Sequence, residues 1–318
     1  MNGLAGAHPD RHWLYYYRPH RFLRSFRLDI PLNAHRRVLL ENSGARPAAL
    51  FHGLNQRLPQ RRFRKQIATF HDLFVLTGDY STQEFRRRFA DQARHAAAEA
   101  DRIIAVSEFT ARQVETLLNV DRARIRVVPH GVRALPIYPT ARENIILSVG
   151  AIQARKNTAR LVQAFESVSS DWTLVLAGSY GFGSEAILRR IEESPRRPQI
   201  RITGYVTTCE LARWYSRAAI FAFPSLDEGF GMPVLEAMAA GVPVVSSNRS
   251  ALPEVCGDAA LLASPDDAEE IAECLRRLIR DEALRNALIA RGKARVAEFT
   301  WQKAMAATWA VYSELARL

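Results

Sequence analysis

The chain has 318 residues, a hydrophobic fraction of 48% and a formal net charge of +11 at pH 7. This length is too great for one comfortable hydrophobic core and predicts two domains. No apolar run is long enough to span a membrane, and the opening residues MNGLAGAHPDRHW lack the apolar core of a signal peptide. The three cysteines show no CxxC or metal-binding spacing, which favours reduced side chains and a cytoplasmic location.

The first half is predicted to contain short strands and two helices. The strand candidates are WLYYYR, AALFHG, QIATFHD, RIIAVS and IRVVPHG. Apolar periodicity predicts one helix from about Thr82 to Ala100 and another from Glu108 to Leu118. The stretch from Ala134 to Asn144 holds two prolines and no apolar periodicity, so it is the expected hinge.

The positive charge is confined to this first half. Residues 1–140 hold 23 Lys and Arg against 12 Asp and Glu, a net of +11, whereas residues 141–318 hold 21 of each, a net of zero. One interpretation is a composition bias with arginines on solvated helix faces. The other is an anionic partner of the first domain: a membrane surface, a lipid phosphate or a nucleic acid. Against a nucleic-acid partner, the sequence shows neither aromatic residues interleaved with the basic ones nor a recognition motif.

From Ile145 onward, apolar strand-like runs alternate with stretches of helical periodicity. The runs are IILSVG, TLVLAG, IRITG, IFAFP and VPVVSS, and the helical stretches are Asn157–Val168, Ser184–Glu193, Cys209–Ser216 and Pro233–Ala240. This alternation predicts a parallel sheet with right-handed crossovers, covered on both faces. Such sheets bind ligands at the carboxyl ends of their strands. The tail Trp301–Leu318 is predicted to be one amphipathic helix.

The segment DEGFGMPVLEAMAAGVPVV, which begins at Asp227, carries the most chemistry. Glu228 and Glu236 stand eight residues apart, with two glycines and a proline between them. Glycine lets a backbone approach a ligand closely, and proline suits the first turn of a helix. The amides of a helix N-terminus bind anions. The segment can therefore offer amides to phosphate and carboxylates to hydroxyls, and a sugar nucleotide carries both groups.

Six motifs in order along the chain resemble glycosyltransferase family 4, whose members have the GT-B fold. They are FHD at Phe70–Asp72, VSEFTA at Val106–Ala111, VPHGV at Val128–Val132, VGAIQARKN at Val149–Asn157, GYV at Gly204–Val206 and EGFGMPVLEAMAAGVPV from Glu228. The resemblance implies an α/β protein with two Rossmann-like doubly wound domains facing across a cleft. Residues 1–138 would bind the acceptor and residues 139–300 the nucleotide sugar. Residues 301–318 would pack back on the first domain.

The resemblance also implies four catalytic positions. Glu228 would contact a hydroxyl of the donor sugar, and Arg155 with Lys156 would neutralise the leaving diphosphate. His71 would face the donor sugar from the first domain, in a positioning role, with Asp72 capping the next segment or orienting it. The plainer alternatives are a helix-capping carboxylate at Glu228, a solvated basic pair at residues 155–156 and a structural histidine at position 71.

The remaining expected contacts bind the nucleotide sugar. Glu236 would accept hydrogen bonds from the ribose, the plainer alternative being an exposed helical glutamate. Backbone groups would hold sugar hydroxyls, phosphate and the nucleobase, with packing as the plainer alternative for Tyr205. The complete expected binding set is Gly150, Tyr205, Val206, Gly229, Phe230, Gly231, Met232, Val234, Leu235 and Glu236.

No metal ion and no cofactor is expected. The sequence shows no His, Asp or Glu cluster with metal-ligand spacing, and Arg155 and Lys156 can carry the diphosphate charge. It also shows no covalent nucleophile with a partnered base. Retaining members of the family are thought to transfer the sugar on one face, the leaving phosphate assisting deprotonation of the acceptor. Such a site depends on positioning more than on acid–base side chains.

Two departures from the family pattern stand out. Many members carry Arg directly after the glycine of the VGA motif, whereas this chain has Ala151 after Gly150, and Arg155 is the expected substitute. The chain also opens at what resembles the helix after the first strand of the family, so the central strand of the first domain is expected to be missing. Either translation starts upstream of Met1 or the transferase is shortened.

The leading prediction is a retaining glycosyltransferase that moves a mannose-like sugar from a GDP- or UDP-sugar to a glycan or a lipid-linked acceptor. The protein is also expected to bind peripherally to the inner face of an anionic membrane. One alternative is a truncated, non-catalytic protein that binds a nucleotide sugar. A lesser alternative is a nucleic-acid binder that uses the basic first half.

Overall fold

The computed structural model describes residues 1–40, 48–133 and 135–316. Its strands are β1 Trp13–Tyr17, β2 Ala34–Val38, β3 Phe51–Gly53, β4 Gln66–Phe70, β5 Arg102–Ala105, β6 Ile125–Val127, β7 Glu143–Val149, β8 Thr173–Ala177, β9 Ile200–Gly204, β10 Ala218–Phe223, β11 Val244–Ser247 and β12 Ala260–Ala263. Its α-helices are α1 Asn2–Ala7, α2 Pro19–Phe22, α3 Phe74–Thr77, α4 Gln83–Glu99, α5 Glu108–Leu118, α6 Thr158–Glu166, α7 Ser184–Glu192, α8 Thr208–Arg217, α9 Met232–Ala239, α10 Leu252–Cys256, α11 Ala268–Arg280, α12 Glu282–Val296 and α13 Trp301–Ala316.

The strands of the first domain form two separate parallel sheets. Strands β3, β4, β5 and β6 pair in that order, while β1 pairs with β2 alone. Within the described residues no ladder joins β1 to β3. Side chains of α13 cover one face of the larger sheet, where Val311 and Tyr312 pack with Ile67 and Ile104.

The second domain is one six-stranded parallel sheet with the order β12-β11-β10-β7-β8-β9. Separate apolar clusters cover its two faces, as expected for a doubly wound sheet. Chain connections leave the central strand β7 in both directions, so β7 and its neighbour β10 flank the switch point. Ligands of such sheets bind outside the carboxyl ends of the strands at this point.

Local sequence signals explain where several helices begin. Ser107 accepts a hydrogen bond from Thr110 N at the start of α5, and Thr207 forms a reciprocal capping box with Glu210 at the start of α8. Pro233 occupies the first turn of α9, as the sequence predicts. Among the described helices, none is both long and apolar enough to cross a membrane.

Three differences from the sequence predictions concern two strands and the hinge. Strands β2 and β12 were not predicted, because β2 (AHRRV) is largely polar and the short apolar run of β12 fits a helix or a strand equally well. The expected hinge from Ala134 to Asn144 is too long: β7 begins at Glu143, whose carboxylate pairs with Arg217 of α8. Ala134 lies outside the described residues. The domain boundary at residue 138 stays a prediction.

Candidate active site

Two loops meet at the carboxyl ends of β7 and β10. After β7, Gly150 adopts φ +141°, and the chain then turns through the short 3₁₀ helix Ala154–Lys156. The Arg155 carbonyl accepts hydrogen bonds from Leu226 N at 2.9 Å and Ser225 Oγ at 3.0 Å. These bonds fix the basic residues of the first loop against the acidic residues of the second.

Glu228 lies at the centre of a buried charge cluster. Its Oε1 accepts hydrogen bonds from Lys156 Nζ at 2.5 Å and Ser225 Oγ at 2.6 Å, and lies 3.0 Å from Arg155 Nη1. Burial alone would raise the pKa of Glu228, but the two cations outweigh burial and the net shift is downward. Burial lowers the pKa of Lys156, and Glu228 partly offsets this effect. Glu228 is therefore an ionised acceptor at neutral pH.

The Arg155 guanidinium also connects the two domains. Its Nη1 donates to the Asp227 carbonyl at 2.5 Å, and its Cζ lies 4.1 Å from the ring centroid of Phe74 in α3. Its Nε is buried and has no hydrogen-bond partner within the described parts of the chain. Thr77 Oγ1 donates to Asp227 Oδ2 at 2.8 Å. Burial raises the pKa of Asp227 and that of Asp72.

The N-terminus of α9 presents a row of backbone amides beside this cluster. Among the residues that the structure describes, the amides of Phe230, Gly231 and Met232 make no hydrogen bond. Gly231 adopts φ +107°, and a Cβ there would lie 2.7 Å from Leu252 Cδ2, so the turn requires glycine. Unsatisfied amides at a helix N-terminus attract anions. This geometry suits the predicted sugar and phosphate contacts.

Two members of the predicted binding set contribute little to this surface. Val234 and Leu235 are fully buried in the core, and Val234 N already donates to the Gly231 carbonyl at 3.0 Å. Their side chains hold α9 against the sheet, so a contact with the donor would have to come from their backbone and stays a prediction. Nearly every residue of α9 is apolar, so its sequence spacing does not show which side faces the core.

Glu236 is buried, contrary to the plainer interpretation of an exposed helical residue. Its Oε1 lies 3.1 Å from Arg133 Nη2, and Tyr215 Oη donates to its Oε2 at 3.2 Å. Burial raises the pKa of Glu236, and Arg133 partly offsets the rise. Arg133 belongs to the connection between the domains and Tyr215 to α8, so Glu236 is held by side chains from two other parts of the chain.

Both ring nitrogens of His71 are used within the protein. The Leu54 carbonyl can only accept, so His71 Nε2 donates to it at 2.7 Å, and His71 Nδ1 accepts from His130 Nε2 at 3.1 Å. The two imidazole rings are stacked, with centroids 5.1 Å apart, and the His130 ring meets the Phe230 ring edge-on. This arrangement leaves neither ring nitrogen available for proton transfer and favours the predicted positioning role.

Gly229 lies in close contact with the first domain. A Cβ at this position would lie 1.8 Å from the His71 carbonyl oxygen. Ser107 Oγ and Thr110 Oγ1 donate to the Gly229 carbonyl at 2.7 Å and 3.1 Å. The structure therefore gives Gly229 an interdomain contact in addition to the binding role that the sequence predicts.

The predicted nucleobase contacts lie further out. Tyr205 is exposed directly after the edge strand β9, and Val206 packs partly against the core. Strand β8 separates β9 from β7. Gly150, by contrast, lies against Lys156, whose Cε would be 3.2 Å from a Cβ at that position. The structure thus brings Gly150 together with Lys156, Arg155 and Glu228, while Tyr205 lies exposed at the edge of the sheet.

Comparison with known proteins identifies the chain. Residues 4–134 match the profile described as "Glycosyltransferase Family 4", and residues 138–295 match "Glycosyl transferases group 1". The O-antigen chain mannosyltransferase B of Escherichia coli is 32% identical over 284 residues, which cover 84% of this chain and 74% of that protein. The chain is a family 4 glycosyltransferase. The serotype-specific mannosyltransferase WbdA of Escherichia coli is 31% identical over 266 residues, 74% of this chain but only 32% of that much longer protein.

Solved structures support the GT-B fold of this family 4 glycosyltransferase. WaaG, a glycosyltransferase involved in lipopolysaccharide biosynthesis, superposes with a TM-score of 0.71 at 16% identity, covering 96% of this chain and 93% of that one. A sucrose-phosphate synthase from Thermosynechococcus elongatus gives a TM-score of 0.71 at 24% identity, covering 84% and 73%. The predicted fold and family are confirmed, and neither the non-catalytic nor the nucleic-acid alternative is favoured.

The glycosyltransferase also has a large cavity on its first domain, of about 1670 Å³. It lies between β1 and the carboxyl ends of β3 and β4, and α13 forms another wall. Its lining includes aromatic and basic side chains, among them Tyr15, Tyr17, Arg18, Arg21, Arg57 and Trp309. His71 and His130 also line the cavity, so it reaches the cleft beside Gly229.

Sequence reasoning missed several residues of the site. His130, Phe74, Asp227 and Arg133 have no motif role of their own, although His130 lies inside VPHGV and Asp227 directly precedes Glu228. Their roles depend on contacts between residues far apart in the chain. Over the described residues, no group of three His, Cys, Asp or Glu side chains could hold a metal ion. Independence of metal and cofactor stays a prediction.

We expect the stability of the protein to fall as the pH is lowered, partly through His130. Burial, assisted by His71, lowers the pKa of His130 from 6.5 to about 4. The folded state then binds fewer protons than the unfolded state in this window, so the free energy of unfolding rises with pH from about 4 to 6.5. His130→Gln keeps a donor toward His71. Between about pH 7 and about pH 5, this variant should lose about 2 kcal/mol less stability than the wild type.

Urea unfolding of both proteins at the two pH values measures this difference. Burial also lowers the pKa of His52, to about 3. The loss of stability that His52 causes at low pH is the same in the wild type and the variant. An equal loss of stability in the variant and the wild type would contradict the assignment to His130.

Proposed function

We propose that this glycosyltransferase moves a sugar from a nucleotide diphosphate sugar to a glycan or lipid-linked acceptor with retention of the anomeric configuration. The observation that supports this best is the unpartnered amide row of α9 beside Lys156, Arg155 and Glu228. Glu228 neutralises one of the two cationic charges. The other cation and the α9 amides remain for the diphosphate.

In the proposed step, the bond between the anomeric carbon and the β-phosphate oxygen breaks, and the nucleoside diphosphate leaves with the electron pair. The acceptor oxygen forms its bond to the anomeric carbon on the same face of the sugar. The acceptor proton passes to an oxygen of the leaving phosphate. Arg155, Lys156 and the α9 amides stabilise the charge that develops on this phosphate, and no protein base or metal ion is required. The occupied ring nitrogens of His71 are consistent with this step.

The donor sugar that we propose is mannose, because relatives at 31–32% identity are described as mannosyltransferases. One of them is described as an O-antigen chain enzyme, so a growing polysaccharide is the proposed acceptor class. The cavity on the first domain offers aromatic surfaces for sugar rings and arginines for an anionic group, and it reaches the cleft. We assign the acceptor to this cavity and the protein to the inner face of the membrane, in peripheral contact.

Donor binding provides the test. A panel of GDP- and UDP-sugars should include one that raises the melting temperature, since ligand at about 100 times its Kd adds about 2.7 kcal/mol of stability. We expect GDP-mannose to give the largest shift and to support transfer in the presence of acceptor. Glu236→Ala should weaken nucleotide binding about tenfold, the cost of a lost hydrogen bond to a charged group.

The matched control is Glu115→Ala, on the exposed face of α5. It should bind the donor like the wild type. If no nucleotide sugar stabilises the protein, the proposed donor site is wrong. Binding without any transfer or hydrolysis would instead favour a non-catalytic role.

A further inference from the structure

Residues 18–32, RPHRFLRSFRLDIPL, connect β1 to β2 and combine exposed apolar side chains with arginines. The exposed fractions are 81% for Leu23, 62% for Phe26, 56% for Leu28 and 103% for Leu32. Large apolar side chains are rarely grouped in this way on the surface of a soluble protein, and such patches mark interaction sites. The site chemistry described above uses none of these four residues.

The segment is not a loose loop, because specific contacts hold it on β2. Its first turn is α2, and a 3₁₀ helix, Leu23–Arg27, follows. Ser25 is buried, its Oγ donates to the Phe22 carbonyl at 2.6 Å, and Arg36 Nε of β2 donates to the Ser25 carbonyl at 3.3 Å. The Arg36 guanidinium also lies 5.1 Å from the centroid of the Phe26 ring. The backbone contacts therefore fix which side chains point outward.

The charge of the segment is complementary to an anionic surface. It holds four arginines and one carboxylate, Asp29, a net of +3 with histidine neutral (4 − 1). Arg21, Arg24 and Arg27 recur every third residue and are exposed. Within the described residues, none of these three lies within ion-pair distance of a carboxylate. Exposed cations next to exposed leucine and phenylalanine are typical of helices that lie in a membrane interface.

We propose that residues 18–32 dock this glycosyltransferase on an anionic lipid surface, with Leu23, Phe26, Leu28 and Leu32 entering the acyl boundary and the arginines contacting lipid phosphates. This proposal takes one point from the proposed function, namely that the acceptor binds in the cavity on the first domain. Arg18, His20 and Arg21 of the same segment also line the cavity on the first domain. Docking there would place the cavity at the lipid headgroups, where a lipid-linked acceptor is found.

Flotation with lipid vesicles tests the proposal without any catalytic readout. The full-length protein should float with phosphatidylglycerol-containing vesicles at low salt and less with pure phosphatidylcholine. The double variant Leu23→Glu/Phe26→Glu should bind anionic vesicles at least about tenfold more weakly, because it loses the inserted apolar area. Arg24→Glu/Arg27→Glu should lose about fivefold per arginine, and the remaining binding should depend less on salt.

The matched controls are Leu117→Glu/Ile137→Glu, at exposed apolar positions elsewhere, and Arg87→Glu/Arg112→Glu, at exposed arginines elsewhere in the first half. Both controls should float like the wild type. All variants change exposed side chains, so equal melting temperatures should confirm that each one folds.

Equal flotation of the Leu23→Glu/Phe26→Glu variant and the wild type would overturn the proposal, as would a wild-type protein that ignores anionic vesicles. The proposal would also be overturned if the wild type were a dimer and this variant a monomer. The exposed apolar residues would then form the contact with a second copy of the chain. Transfer to a soluble acceptor analogue should be unchanged in the variant. Loss of that activity would mean that the substitutions disturb the active site and would contradict a pure docking role. Loss of flotation with unchanged transfer would support docking through residues 18–32.

Discussion

Glu228→Gln is expected to lower sugar transfer by about 100-fold while changing nucleotide affinity by less than about threefold. The amide keeps the shape of the side chain but removes the charge that Lys156 and Arg155 contact at 2.5 Å and 3.0 Å. A sugar hydroxyl bound to an ionised acceptor is held more strongly than one bound to an amide. The two cations stay in place and can still bind the diphosphate.

Steady-state transfer with labelled donor gives kcat/KM, and calorimetry gives the Kd of the nucleoside diphosphate. Glu115→Gln is the control, because this glutamate is exposed on α5, far along the chain from the donor loops. Wild-type transfer by Glu228→Gln would contradict the assigned role. A loss of nucleotide binding as large as the loss of transfer would instead mean that Glu228 chiefly organises the basic pair.

The architecture of the second domain could be predicted from the sequence because each of its central strands is a buried apolar run followed by glycine, serine or charge. The predicted runs correspond to β7, β8, β9, β10 and β11. Strand β12 escaped prediction because four apolar residues without flanking periodicity fit a helix or a strand equally well. In the first domain, β2 is mostly polar because it has a single strand neighbour and lies at the surface.

The donor site could be predicted in outline but not in its pairings. The glycines, the proline and the carboxylates of the Glu228 loop are local signals with known backbone consequences. The stacking of Arg155 on Phe74 and the ion pair between Glu236 and Arg133 are long-range contacts that no local spacing encodes. The structure places Arg155 on the short helix after β7, with its guanidinium 3.0 Å from Glu228, while its role as the substitute at the Ala151 departure stays a prediction.

The second large effect is expected from Gly229→Ala. The added Cβ would lie 1.8 Å from the His71 carbonyl oxygen and 2.9 Å from Asp72 Cβ, so the α9 loop and the first domain must separate. We expect the free energy of unfolding to fall by about 1–3 kcal/mol through overpacking. We also expect kcat/KM for transfer to fall by about 100-fold, because catalysis by positioning is sensitive to shifts of about 1 Å.

Gly6→Ala is the matched control, since a Cβ at Gly6 in α1 would meet nothing within 4 Å. It should leave transfer unchanged. Nucleotide affinity separates a local effect from general unfolding: the amides of α9 and Lys156 belong to the second domain, so the Kd of the nucleoside diphosphate should change far less than kcat/KM in Gly229→Ala. Full transfer by this variant would show that the two domains need not meet at Gly229 during catalysis. The contacts of Ser107 and Thr110 with the Gly229 carbonyl would then describe a closed form that the reaction does not use.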